Sequence, residues 1–139
     1  MEGNLTQRSG SITISTRWLR AILIILNEYF SDMKPVVKFS KNWNQKLNCD
    51  SFPIIRPRND LLYQVNGILN IQWEDTTFDV RIDYISHFML DKMSEAIARL
   101  CYGCNNHAAK TILERLWSSK VIDINRQEFS FIVVSKINI

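Results

Sequence analysis

The alternation of apolar and polar positions is most regular between residues 61 and 85, LLYQVNGILNIQWEDTTFDVRIDYI. Asn66-Gly67 has the chemistry of a two-residue type I′ turn, which needs positive φ at both central positions, and would pair Val65 with Ile68. A second turn across Glu74 to Thr77 would set Trp73 opposite Phe78, Ile71 opposite Val80 and Leu69 opposite Ile82. Asn70, Gln72, Asp79 and Arg81 would then face the other way. Turn chemistry and alternation agree, so the segment predicts a three-stranded antiparallel meander with one apolar face.

Around the meander the period changes. TRWLRAILIILNEYF, from Thr16, reads as a helix capped by Thr16, with Trp18, Ile22, Ile25, Leu26 and Tyr29 at three-and-four spacing. Its polar strip is narrow (Arg17, Arg20, Asn27 and Glu28), a pattern expected of a helix buried on several sides or offered to a partner. SHFMLDKMSEAIARLCYG, from Ser86, predicts a second helix with Leu90, Met93, Ile97, Leu100 and Cys101 on one stripe. NHAAKTILERLWSSK predicts a third, with Ala109, Ile112, Leu113, Leu116 and Trp117 inward. At the C-terminal end Ile122 and Ile124 would pair with Phe131 and Phe129 across a turn at Asn125 to Glu128. The expected architecture is α+β: an antiparallel sheet, made of a three-stranded meander and a C-terminal hairpin, packed against about three helices.

Between the first helix and the meander lies VVKFSKNWNQKLNCDSFPIIRPR. Val37 and Phe39 alternate with Lys38 and Ser40 like a short strand, and Pro53 and Pro57 then suggest an irregular connection. Residues 1–15 are polar with two glycines and read as a flexible terminus; residues 16–139 read as one domain.

Composition narrows the function classes. Only four glycines are present, and no phosphate-cradling loop or dinucleotide fingerprint occurs, so no cofactor is expected. Cys101, Cys104 and His107 stand at C-x-x-C-x-x-H spacing, but a zinc site would need a fourth ligand from distant Cys49 or His87. The same stretch reads completely as a joint between helices: Gly103 suits a left-handed C-terminal position, and Asn105 or Asn106 suits the next N-cap. Asp83, His87 and Asp91 fall four residues apart and are the one candidate acid–base group, without a nucleophile to complete it. The expectation is a protein without catalysis.

The net charge of +3 is concentrated: residues 31–58 hold Lys34, Lys38, Lys41, Lys46, Arg56 and Arg58 against Asp32 and Asp50. Phe39, Trp43 and Phe52 are interleaved with these cations. That mixture suits protein interfaces and single-stranded nucleic acid alike. The candidate partner-binding surface is Lys38, Phe39, Lys41, Trp43, Lys46, Arg56 and Arg58. Its expected ligand is an acidic surface of a partner protein, neutralised as immunity proteins, antitoxins and phage-encoded inhibitors act. Nucleic acid bound by residues 34–58 is the alternative.

The order of helix, meander, helix and hairpin is similar to that of type III secretion chaperones, from which the basic charge, the adjacent second helix and the missing last helix depart. Two helices and a hairpin at the C-terminal end also resemble a winged helix, whose recognition face would carry Lys110, Thr111, Glu114, Arg115 and Ser118. The longest apolar run near the start, residues 21–26, is too short to span a bilayer, and three unpaired cysteines suit a reducing compartment. A soluble cytoplasmic protein is expected.

Overall fold

Ser15 opens the first helix: its Oγ accepts a hydrogen bond from the Trp18 amide at 3.3 Å, the reach of an N-cap side chain, so the cap lies one residue before Thr16. The computed structural model describes residues 5–8, 11–32 and 34–137, in two units, Met1–Lys34 and Pro35–Ile139. In the first unit Leu5–Arg8 (β1) and Ser11–Ile14 (β2) pair antiparallel, within the residues whose composition suggests a flexible terminus. Helix α1 follows over Thr16–Asp32. Leu19, Leu23, Ile24 and Ile25 are exposed on it, and the side chains of Leu26 and Tyr29 lie outside the described residues.

The second unit is α+β, as the periodicity predicts, but its sheet is mixed. Val36–Phe39 (β3), Ser51–Pro57 (β4), Ile68–Trp73 (β5), Thr76–Met89 (β6) and Glu128–Lys136 (β7) stand in the order β3-β5-β6-β7-β4. β3 runs parallel to β5, and the other pairings are antiparallel. Neighbouring strands lie about 4.8 Å apart, so a flat sheet would hold the edge strands β3 and β4 roughly 19 Å from each other. Instead Arg56 on β4 donates from Nη2 to the Lys38 carbonyl on β3 at 3.1 Å. The sheet is curled until its two edges meet.

β4 forms although it contains Pro53 and Pro57. Arg58 N–H donates to the Glu128 carbonyl and Lys136 N–H to the Asp50 carbonyl, so the even-numbered residues of β4 bond to β7. Both prolines fall at odd positions, on the free edge, where the lost N–H is not needed. β4 is thus a strand where prolines suggest an irregular connection.

The hairpin of β5 and β6 is present with a two-residue turn, Glu74-Asp75, so Ile71 faces Phe78 and Leu69 faces Val80. The expected register is shifted by two residues. A shift of two preserves side-chain parity, and Leu69, Ile71, Val80 and Ile82 are all fully buried on one face. The first strand of the expected meander is absent. Asn66, at φ 71°, is the third residue of a turn closed by Gly67 N–H on the Gln64 carbonyl, so residues 61–67 do not return as a strand.

β6 also runs on through Ser86 to Met89, where a helix is expected. A bulge between Ile82 and Tyr84 interrupts the alternation of β6 just before this stretch. It puts Ile82 and Ile85, three residues apart, on one face, while Phe88 packs on the other against Phe129; residues 86–89 stay extended because each pairs with β7. The helix itself, α2, is only Glu95–Tyr102, capped by Ser94 Oγ on the Ile97 amide. The C-terminal hairpin is absent too: β7 is already paired on both sides, by β6 and by β4, and Ile122 is wholly exposed. Without that hairpin the winged-helix order fails.

One apolar cluster joins Val37, Leu47, Phe52, Leu69, Ile82 and Val134 on one face of the sheet. The opposite face, through Ile55 and Phe129, packs beneath α2 and α3 (Asn106–Trp117) with Ala98, Cys101, Ala109 and Leu113.

Candidate cationic cleft

The curl and the helix ends enclose a cleft of about 550 Å³, lined from β3, from the 3-10 turn Trp43–Asn48, from β4 and from the C-terminal ends of α2 and α3. Asn44 and Gln45 adopt left-handed backbone conformations, φ 56° and 52°, in that turn. After them Lys46 and Leu47 are both buried, Leu47 in the core and Lys46 against the cleft.

Four of the five rings that line the cleft, all but Tyr63, carry at least one cation within cation–π range. Lys41 Nζ lies 4.3 Å from the centre of Trp43. Lys46 Nζ lies 5.3 Å from Phe39 and 5.5 Å from Tyr102. The Arg56 guanidinium lies 4.9 Å from Phe39 and 5.4 Å from Trp117, and Lys120 lies 5.2 Å from Trp117. Trp43 meets Tyr102 edge-on at 5.3 Å. Among the described residues no Asp or Glu lines the cleft, and none pairs with Lys46 or Arg56.

Burial governs the titration of these groups. It pushes the Lys46 ammonium down to about 8, opposed by Cys101 and assisted by the positive charge of Arg56. It lowers Arg56 as well, and raises Tyr63 and Tyr102. The Cys101 thiol is pushed up to about 11, so at neutral pH it is uncharged and gives Lys46 no counter-charge.

Of the seven residues singled out from the sequence, Lys38, Phe39, Trp43, Lys46 and Arg56 line this cleft, and Lys41 stacks on its wall. Arg58 does not join them. It is held elsewhere by Asp60, through Nε and Nη2 at 3.0 and 3.1 Å, and by Glu128 at 3.0 Å. The hydrogen bonds from Arg58 keep the Asp60 carboxyl below the usual range. Tyr63, Tyr102, Leu116, Trp117 and Lys120 complete the lining and come from segments read only as elements of the fold. The one signal for them in the sequence is Lys120, three residues after Trp117, another cation close in sequence to a tryptophan.

The other candidate groups do not converge. Asp83 and His87 sit four residues apart on β6, about 13 Å along an extended strand, and Asp91 lies beyond its end. Asp83 accepts from the Ser135 hydroxyl and from Arg81 Nε, which together hold its carboxyl low, and His87 Nδ1 meets Ser130 Oγ at 2.9 Å. Around Gly103 the joint forms as read: Gly103 has φ 69° and Asn105 caps α3 through the Ala108 amide. Cys101 is buried and Cys104 half-buried in the packing beneath the helices. Among the described residues no three His, Cys, Asp or Glu side chains come together as a metal would require. Among the same residues no helix is long and apolar enough to cross a membrane.

Compared with protein-family models, curated proteins and solved structures, the chain matches none.

Proposed function

We propose that this is a small non-catalytic binding protein that recognises an acidic surface of a partner protein and occludes it. The observation that carries the reading is a concave, acid-free cleft whose cations are held on aromatic rings. Cations positioned in this way lose little freedom when a carboxylate arrives, which favours binding. Exposed Lys38, Lys41 and Lys120 at or beside the mouth add a field that steers an acidic partner inward.

The same observation weighs against single-stranded nucleic acid. Bases bind such proteins by stacking on open ring faces. Here Phe39, Trp43, Tyr102 and Trp117 are each overlain by a cation of the protein itself.

The test is capture of partners from the native lysate by the full chain, with and without nuclease, alongside the variant Lys38→Glu/Lys41→Glu. The reading expects a stoichiometric acidic protein that survives nuclease and is lost with the charge reversal. Recovery that collapses on nuclease treatment, with nucleic acid retained in the untreated half, would overturn it.

A further inference from the structure

Lys46 is only 5% exposed, lines the cleft, and has no carboxylate beside it among the described residues. Its surroundings do not neutralise it. The rings of Phe39 and Tyr102 offer their quadrupoles, the Cys101 thiol is neutral at ordinary pH, and Arg56 on the same Phe39 ring repels it. Ring attraction returns only part of the hydration that a buried ammonium gives up. A methionine would fill the same space without that cost. The arrangement makes physical sense when an anion completes it.

We propose that the cleft is the seat of one carboxylate, carried by an acidic segment of the partner protein and paired with the Lys46 ammonium. Arg56 supplies the second positive charge, while the aliphatic lining residues Val36 and Leu116 pack against the apolar stem that bears the carboxylate. This rests on the reading of the partner as an acidic protein. Arg56 spends one hydrogen each of Nη1 and Nη2 on the Ile55 and Lys38 carbonyls, which fixes its place beside the ammonium. A carboxylate is the anion that an acidic protein segment carries, and phosphate is the alternative that the test compares with it.

The test titrates phenylacetate, a carboxylate on an aromatic stem, into the full chain and follows tryptophan emission, to which Trp43 and Trp117 contribute from the cleft. A saturable change is expected, at least tenfold weaker for the neutral isostere phenylacetamide. It should disappear in Lys46→Met and Lys46→Gln and persist in Lys110→Met, which lies outside the lining. An equal response to the amide, or unchanged binding in both Lys46 variants, overturns the seat. Phenyl phosphate binding more than tenfold tighter than phenylacetate overturns the choice of carboxylate. Partner capture separates the two claims. A protein partner lost on Lys38→Glu/Lys41→Glu but retained by Lys46→Met would remove the seat and leave the acidic-partner reading standing. A nuclease-sensitive partner would remove that reading, whatever phenylacetate does.

Discussion

Arg56 and Lys38 join the two edges of the sheet: the guanidinium on β4 donates to the backbone carbonyl on β3 at 3.1 Å, with three strands intervening in the hydrogen-bonded order. One side chain therefore closes the curl and also lays a cation across Phe39 and Trp117. Fold and cleft share that residue.

Replacing Arg56 with Met removes a charge-assisted bond to the opposite edge and should cost about 1–3 kcal/mol of stability. Lys is expected to rescue little, because a single ammonium cannot reach both the Ile55 and Lys38 carbonyls from one planar fork. Urea unfolding reads the loss. Hydrogen exchange should locate it in residues 36–39, and unchanged protection there would mean that β5 alone holds β3.

Lys46 makes the opposite prediction. Its folded pKa of about 8 lies below the ordinary 10.5, so between those values the unfolded chain binds a proton that the folded one has released. This group's contribution therefore makes stability rise with pH from about 8 to 10.5, and below 8 the buried charge costs about 3 kcal/mol. Lys46→Met should be more stable than the wild type at pH 7 by about 1–3 kcal/mol, and the difference should vanish by pH 10.5. Denaturant titrations at the two pH values check both. Besides Cys101 and Arg56, Tyr102 is the titratable group that faces Lys46, and it stays neutral through most of that window.

At Gly103 two constraints coincide. Its φ is 69°, and an added Cβ would stand 2.9 Å from Asn44 Oδ1. Asn44 in turn donates from Nδ2 to the Arg99 carbonyl at 3.1 Å, docking the turn that carries Lys46 onto the end of α2. Gly103→Ala should cost about 1–2 kcal/mol through the left-handed backbone alone, and Asn44→Ala in the same background should recover part of any excess. Thermal unfolding of the two single variants and the double reads the coupling.

Glu74 occupies a left-handed conformation, φ 53°, at the first central position of the β5–β6 turn, where glycine is preferred. Glu74→Gly should raise stability by about 0.5–1 kcal/mol. A loss in chemical denaturation would show that the Glu74 side chain contributes more to the turn than its backbone strain removes.

Local signals carried the parts of this fold that depend on local chemistry. The left-handed glycine at 103, the Asn105 cap, the strand at 36–39 and the inward parity of Leu69, Ile71, Val80 and Ile82 are all legible without tertiary information. What failed depends on distant partners. β4 is a strand because β7 offers the edge that leaves Pro53 and Pro57 unpaired, and residues 122–124 are not a strand because β4 has taken that edge. Residues 86–89 are extended because β7 pairs with them as far as Glu128, a partner that no local signal names. Five of the seven candidate binding residues line one cleft, because they lie on β3, on the turn after it and on β4, which the curl brings together. Trp117 and Lys120 could not be associated with them by distance along the chain, and Arg58 is held by one local acid, Asp60, and by one distant in sequence, Glu128.

The most direct measurement is urea unfolding of the wild type and Lys46→Met at pH 7, each with and without phenylacetate at about ten times its dissociation constant. The wild type should be the less stable protein alone and should gain about 1.4 kcal/mol with the carboxylate, while the variant should start higher and gain nothing. A variant less stable than the wild type, or equal stabilisation of both by phenylacetate, would contradict the assignment of Lys46 as a charge held for a partner's carboxylate.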